Sequence, residues 1–158
     1  MVSTAISFLL WIAAVGCGVM AGVYFAFSVF IMKAFADLDE EQGVAAMNAI
    51  NSVILSSLFM PLFWGTTLAS VALVGLAAFR LGEPGSTIAL AGGIVYVAGM
   101  FLVTIFFNVP LNNTLAAAGA GENTVWAGYL SDWTRWNHVR TLASAAATAL
   151  FILSIARQ

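Results

Sequence analysis

Long apolar runs alternate with short polar segments along the chain. The runs cover residues 5–32, 53–79, 88–107 and 139–156. A helix needs about 20 apolar residues to cross the hydrocarbon core of a bilayer, and each run comes close to or exceeds that length. Backbone groups in lipid must form their hydrogen bonds within their own segment, which favours helices for all of the runs. The pattern therefore predicts an all-α fold, a bundle of four transmembrane helices.

The segments between the runs differ in length. LGEPGS (81–86) is a Gly/Pro turn, so the second and third spans are expected to be antiparallel neighbours. Segment 33–51 predicts a short interfacial helix after the first span. Segment 109–137 is the longest, and predicts either a loop or a helical extension before the fourth span. We expect residues 1–158 to form a single integral membrane domain.

The composition supports a membrane location. Hydrophobic residues make up 62% of the 158 positions and charged residues only 8%, whereas soluble domains carry about 25% charged residues. The net charge is −2, so the chain lacks the excess of basic residues typical of nucleic-acid-binding proteins, and no nucleic-acid partner is expected. The single Cys17 excludes an internal disulfide and a multi-cysteine metal site.

The distribution of basic residues bears on location and orientation. We expect a bacterial inner-membrane protein whose partners are the lipid bilayer and a lipophilic aromatic small molecule, with a homo-oligomer as an open alternative. The positive-inside rule counts Lys and Arg only, and these residues are almost evenly divided here. When the amino terminus is added and Arg140 is taken to be held inside the protein, the balance favours cytoplasmic termini. Lys33, Arg135 and Arg140 lie on the side of the two longer connections. Arg80 and Arg157 lie on the side of the termini and the short turn.

The stretch WTRWNHVR, residues 133–140, concentrates polar chemistry just before the last apolar run. On a helix with 100° per residue, Trp133, Trp136, Asn137 and Arg140 share one stripe. His138 lies about 140° from Trp133 on the same helix. An unpaired arginine in the membrane is costly, so such residues usually face a partner or a wet cavity. The pattern predicts that the stripe faces the interior.

An alternative interpretation applies to the aromatic residues. Tryptophan and tyrosine favour the membrane interface, and taken alone Trp126, Tyr129 and Trp133 are typical of interfacial anchors. An arginine near a helix end can also extend to lipid headgroups. The sequence leaves this interpretation open beside a binding role for the same residues.

A second polar group, FFNVPLNN, ends the third apolar run. Pro110 cannot donate a backbone hydrogen bond and biases Val109 away from helix, so the helix is predicted to break near Asn108. Such a break is tolerated where it lines a cavity. Asn112 is then a candidate for ligand binding, although Asn112 and Asn113 are also compatible with a capped helix end in water.

Apolar residues of the first two spans are candidates for the pocket wall. Gly18 and Gly22 form a GxxxG pair that allows close helix approach. Phe25 continues that face, and Phe59 and Asn51 are expected to complete the wall from the second span. The sequence thus predicts a pocket between the helices at the side of the long connections.

Together these motifs carry a family resemblance. FFNVPLNN, then Trp126 and Tyr129, then WTRWNHVR resembles the signature of the anthrone oxygenase-like family of small four-helix membrane proteins, largely a domain of unknown function in bacteria. GVYFAFS and MNAIN are also similar to that family, and the likeness covers nearly the whole chain. Family members often carry proline just after the first span, where this chain has Lys33. The resemblance implies functional roles for Asn108, Asn112, Trp133, Trp136, Asn137 and Arg140.

Characterised fungal members of that family oxidise an anthrone to an anthraquinone with O2. The resemblance implies a flat lipophilic substrate between Trp133 and Trp136, with Tyr129 as a further contact. Arg140, assisted by Asn137 and Asn108, is expected to stabilise the oxyanion that forms when a proton is removed beside the carbonyl. His138 and Asp132 are the candidate bases.

The expected cofactor requirement is minimal, with O2 as co-substrate. No cluster of histidine and carboxylate ligands occurs in the spans, so a bound metal is not expected. A haem held by His138 alone is the alternative. Two other functions stay open: an accessory or carrier protein that binds a quinone, lipid or hydrophobic metabolite in the same pocket without chemistry, and a structural protein whose polar cluster fixes helix packing.

Overall fold

The computed structural model describes residues 2–118 and 123–158, and these residues form helices with no strand among them. The helices in chain order are α1 (Val2–Ala26), α2 (Met32–Ala36), α3 (Glu40–Ile54), α4 (Phe59–Ala78), α5 (Ser86–Tyr96), α6 (Val109–Ala117) and α7 (Asn123–Ala156). Short π-helical segments join α1 to α2 and α5 to α6, and these are Phe27–Ile31, Val97–Leu102 and Thr104–Asn108.

The predicted four-helix transmembrane bundle is confirmed. In the described part of the chain, four helical stretches are long and apolar enough to cross a membrane, and they are Thr4–Ala36, Phe59–Ala78, Ser86–Ala117 and Val125–Ala156. α1 packs against α7 and α4, while α5 packs against α4 and α7. The four stretches therefore form a closed ring around a shared core.

Small residues bring the helices of this ring close together. A Cβ atom added at Gly16 would collide with Thr66 of α4, and one at Gly99 would lie 2.5 Å from the Cβ of Ala143 of α7. Gly22 behaves differently, because a Cβ there meets no atom of the described residues within 4 Å. The predicted close approach at the Gly18–Gly22 pair is therefore wrong at Gly22, which lies on an open face of α1.

The second span begins later than the sequence predicts. Residues 53–54 complete α3, residues 55–58 form a turn, and α4 begins at Phe59. Pro61 explains this start. Its missing N–H falls in the first turn of α4, where amide groups have no partner within the helix. α3 itself confirms the short helix expected after the first span.

The predicted break at Pro110 is wrong. Asn108 has helical dihedral angles, φ −71° and ψ −40°, and α6 continues to Ala117 with Pro110 in its first turn. The π-helical segment Thr104–Asn108 ends just before the proline. A π-helical turn changes the hydrogen-bond register and widens the helix, which accommodates a residue that lacks an N–H. The third span is thus one long helix from 86 to 117.

The long connection before the fourth span resolves as a helical extension, because α7 runs unbroken from Asn123 to Ala156. α3 packs across α6 and the beginning of α7. We call the end of the bundle that holds α3 the loop end. A second apolar cluster forms there, with buried Met32, Met47, Leu115, Trp126, Tyr129 and Trp133.

Candidate functional site

A cavity of about 330 Å³ lies at the loop end, between α1, α3, α4, α6 and α7. This volume is within the range of small-molecule sites, about 300–1,000 Å³. Most of its lining is apolar, and a few polar groups are contributed by α3, α6, α7 and the π-helical segment before α6. The lining includes several residues that the sequence singles out, namely Asn51, Phe59, Asn112, Asn113, Trp133 and Arg140.

Arg140 is the principal polar residue of the cavity wall, and only 5% of its surface is exposed. Its Nη2 donates to Asn137 Oδ1 at 2.8 Å, and its Nη1 donates to Thr104 Oγ1 at 3.4 Å. The guanidinium carbon lies 4.3 Å from the ring centre of Tyr24 and 5.0 Å from that of Trp133. Within the described residues no carboxylate pairs with it. Neutral amide, hydroxyl and aromatic groups therefore hold a buried cation.

Asn137 fixes the guanidinium in place. Its Nδ2 donates to the Tyr24 carbonyl at 2.7 Å and to Ser28 Oγ at 2.8 Å, which directs its Oδ1 toward Arg140. These partners lie beside or within the π-helical segment Phe27–Ile31. Such segments change the backbone hydrogen-bond register and leave carbonyl groups open to side chains. Asn137 is fully buried and supports Arg140 without lining the cavity.

Three residues of the cavity lining carry buried hydrogen-bond donors without a partner in the described part of the chain. Trp133 Nε1, Arg140 Nε and Asn51 Nδ2 are buried with no hydrogen-bond partner among the residues described, and all of these residues line the cavity. A buried unpaired polar group costs about 1–3 kcal/mol. No His, Asp or Glu is present in the lining drawn from the described residues. The site is therefore complementary to a ligand that offers oxygen acceptors or negative charge.

Asn108 has a positioning role. It is buried, and its Nδ2 donates to the Trp133 carbonyl at 3.2 Å, which ties the third span to α7. Asn108 does not line the cavity and makes no hydrogen bond to Arg140. The expected assistance of Asn108 to the oxyanion is thus indirect in this structure.

The aromatic residues at the start of α7 are interior residues. Trp126, Tyr129 and Trp133 are at most 5% exposed and stack in succession, with ring centres 5.8 and 6.2 Å apart. Tyr129 also donates to Asn112 Oδ1 at 2.8 Å. The interpretation of these residues as interfacial anchors is therefore wrong, because α3 and α6 cover this part of α7.

Trp136 and Phe25 lie away from the cavity, against expectation. Trp136 stacks on Phe107, with ring centres 3.7 Å apart, so it does not face Trp133 across a ligand space. A step of three residues places Trp136 about 60° to one side of Trp133 on the helix, where it packs against Phe107 and away from the cavity. Phe25 is 56% exposed, while its neighbour Tyr24 occupies the inner face.

His138 is exposed and lies in a groove on the outside of the bundle, and Asp132 is also exposed. Neither candidate base reaches the cavity lining. Within 2–118 and 123–158, no group of three His, Cys, Asp or Glu side chains is placed to hold a metal ion.

Tyr24 and Thr104 belong to the site but were missed from sequence. Thr104 was detectable, because it is the one hydroxyl residue in the second half of the third apolar run, one turn before Asn108. Tyr24 and Ser28 have the same one-turn spacing within GVYFAFS. In an apolar helix, polar residues four positions apart indicate a face turned toward the interior.

Comparison with known protein families identifies a match over much of the chain. Residues 51–150 match the model of a protein family described as anthrone oxygenase. The matched segment includes most of the cavity lining from Asn51 to Arg140 and covers well over half of the 158 residues. No curated protein and no solved structure matches the chain.

Proposed function

Since the chain belongs to the anthrone oxygenase family, we propose that it is a membrane-embedded oxygenase. Its substrate is a flat lipophilic phenol of the anthrone or quinol type, and O2 is the co-substrate. Such a substrate partitions into the bilayer and reaches the apolar cavity from there. We place the protein in a bacterial inner membrane, with both termini in the cytoplasm.

The observation that carries the proposal is the state of Arg140. A buried cation without a carboxylate partner lines the cavity, and its Nε is unpaired among the described residues. Positive charge and free donors in a water-poor site stabilise negative charge that develops on a ligand oxygen. Trp133 Nε1 supplies a second free donor on the same wall. The substrate oxygen therefore binds at Arg140 and Trp133.

The aromatic walls account for a flat substrate. Trp133 of α7 and Phe59, Phe63 and Trp64 of α4 all line the cavity. Phe59 and Phe63 stack with ring centres 6.0 Å apart and an interplanar angle of 24°. Offset stacking and edge contacts of this kind favour fused-ring ligands. The substrate thus lies against Trp133, and Trp136 has no direct part.

The chemistry follows from the stabilised oxyanion. When the substrate is an anthrone, loss of a proton from its methylene gives an enolate whose oxygen is held by Arg140. The electron-rich carbon transfers an electron to O2, the resulting radical and superoxide combine to a peroxide anion, and this anion takes up a proton from solvent to give a hydroperoxide. Loss of water from that hydroperoxide leaves a carbonyl, so one oxygen atom of O2 enters the product and the other leaves as water. The proton released in the first step passes to solvent at the cavity mouth.

No resident cofactor is needed in this scheme, because an enolate of this kind reacts with O2 directly. Arg140 supplies the electrostatic stabilisation that drives ionisation. An absorption spectrum of the purified protein checks this part of the proposal. A haem band that scales with activity and disappears in His138→Ala would contradict it.

The decisive experiment measures O2 consumption and quinone formation by the purified protein in nanodiscs, with a panel of anthrones and hydroquinones. Arg140→Met removes the charge and is expected to lower kcat/KM by about 100-fold or more, the loss typical of an oxyanion-stabilising group. Arg157→Gln removes an exposed arginine at the opposite end of the bundle and serves as the matched control. Equal turnover by wild type and Arg140→Met would refute the oxygenase.

A second function is favoured by one observation, the lack of His, Asp or Glu in the cavity lining among the described residues. Without a base in contact with the ligand, the same cavity suits a carrier or accessory protein that binds a quinone, lipid or hydrophobic metabolite. Saturable binding that depends on Arg140, with no O2 consumption across the panel, would select this function.

A further inference from the structure

A second concave surface lies on the outside of the bundle, between α2 and the first half of α7. Lys33, Arg135 and His138 line it, together with the hydroxyl residues Ser131 and Thr134. The three basic side chains are all exposed. We call this surface the basic groove. It is distinct from the cavity, since Arg140, the basic residue of the cavity wall, is not part of it.

The basic groove contains much of the free positive charge of the chain. The sequence has five Lys and Arg residues in all. Arg140 is buried in the cavity wall, and Arg80 is paired with Glu83. Across the described ranges, neither Lys33 nor Arg135 forms an ion pair with a carboxylate. This holds although acidic residues flank both positions in sequence, at Asp37, Asp39 and Asp132.

An exposed apolar surface continues from the groove toward the middle of the bundle. Val29, in the π-helical segment before α2, lines the groove and is 53% exposed, and Phe25 near the end of α1 is 56% exposed. On α7, Leu142 follows His138 by four residues and is 71% exposed. One molecule that combines a negative headgroup with an acyl chain would satisfy both parts of this surface.

We propose that the basic groove is a binding site for an anionic phospholipid. The phosphate lies between Lys33 and Arg135, where both cations bond to its oxygens. The ring of His138 donates a further hydrogen bond, which it is able to do in either protonation state. One acyl chain lies along Phe25, Val29 and Leu142. Basic pockets between transmembrane helices bind anionic headgroups through the same combination of contacts.

Native mass spectrometry of the full-length protein in a neutral detergent tests this site. The protein is titrated with phosphatidylglycerol and with phosphatidylcholine of the same chain length. Arg135→Gln is expected to weaken phosphatidylglycerol binding by about 5-fold, and Lys33→Gln with Arg135→Gln by about 25-fold. Phosphatidylcholine binding is expected to stay the same. Circular dichroism verifies that each variant keeps its helical content.

Arg157→Gln is the matched control, because it removes one exposed arginine at the other end of the bundle. It is expected to change phosphatidylglycerol binding by less than about 2-fold. Equal losses in Arg135→Gln and Arg157→Gln would refute a localised site, as would a wild-type protein that binds both lipids equally. Glycerol phosphate at the same concentration should not displace the lipid. Displacement would assign the groove to a soluble phosphate compound and overturn the lipid proposal.

Discussion

Replacement of Asn137 by alanine tests how the buried guanidinium is held. Asn137 accepts from Arg140 at 2.8 Å and donates to the Tyr24 carbonyl and to Ser28. A hydrogen bond to a charged group contributes about 1.5–3 kcal/mol. Interhelical hydrogen bonds inside membrane proteins average about 0.6 kcal/mol each. The substitution is therefore expected to lower the free energy of unfolding by about 3–4 kcal/mol.

The assay is unfolding in mixed micelles with increasing SDS, followed by helical circular dichroism. A double-mutant cycle with Arg140→Met isolates the contact between the two residues, and its coupling energy is expected to be about 1.5–3 kcal/mol. Asn113→Ala is the control, since Asn113 is exposed at the cavity rim and loses the same atoms. It should change stability by less than about 0.5 kcal/mol. Additivity within about 0.3 kcal/mol in the cycle would refute the proposed support of Arg140 by Asn137.

Three further substitutions test the cavity and the loop end. Trp133→Phe keeps an aromatic side chain but removes the unpaired Nε1–H together with one ring of the indole, so ligand affinity should fall about 10-fold in a binding titration, and the cavity left in the buried cluster should lower stability by about 1–3 kcal/mol. Unchanged affinity would exclude this donor from the ligand. Phe59→Ala should raise the substrate KM far more than Phe25→Ala in steady-state assays, because Phe59 lines the cavity and Phe25 faces outward; similar effects would place the ligand elsewhere. Gly43→Ala should destabilise the protein by about 1–3 kcal/mol in SDS unfolding, since the new Cβ would lie 2.6 Å from the Trp126 ring. Gly65→Ala is the control, because its Cβ meets no described atom within 4 Å. Equal destabilisation by the two substitutions would contradict the packing argument.

The helical architecture followed from sequence because composition leaves few alternatives. Runs of about 20 apolar residues in a chain with 8% charged residues are typical of membrane helices. The inward orientation of Asn137 and Arg140 was also predictable, because the cost of polar groups in lipid selects the interior face. Both residues are in fact 5% exposed or less.

The orientation of apolar residues was not predictable in the same way. Two stripes on α1 are apolar enough to face either the interior or the lipid. One consists of Cys17, Met20 and Tyr24, and the other of Gly18, Gly22 and Phe25. Only packing distinguishes them, and it selects the first stripe.

Pro110 illustrates a second reason why the structure differs from the sequence-based prediction. Ordinary helix rules predict a break there, and they do not include the adjoining π-helical segment that absorbs the missing N–H. The π-helical segments near the site also change the angle between successive residues. A helical wheel drawn at 100° per residue therefore assigns residues beyond these segments to the wrong face.

The neutral surroundings of Arg140 also constrain how the chain is assembled during biosynthesis. The groups that receive the guanidinium, Tyr24 and Thr104, belong to helices that leave the ribosome before α7. An arginine in the centre of a helix opposes its transfer from the translocon into lipid by about 2.5–3.5 kcal/mol. α7 therefore enters the bilayer most easily beside its earlier partners, with the first and third spans already in place to receive the guanidinium. Insertion of α7 into the bilayer therefore depends on the earlier spans having been inserted correctly.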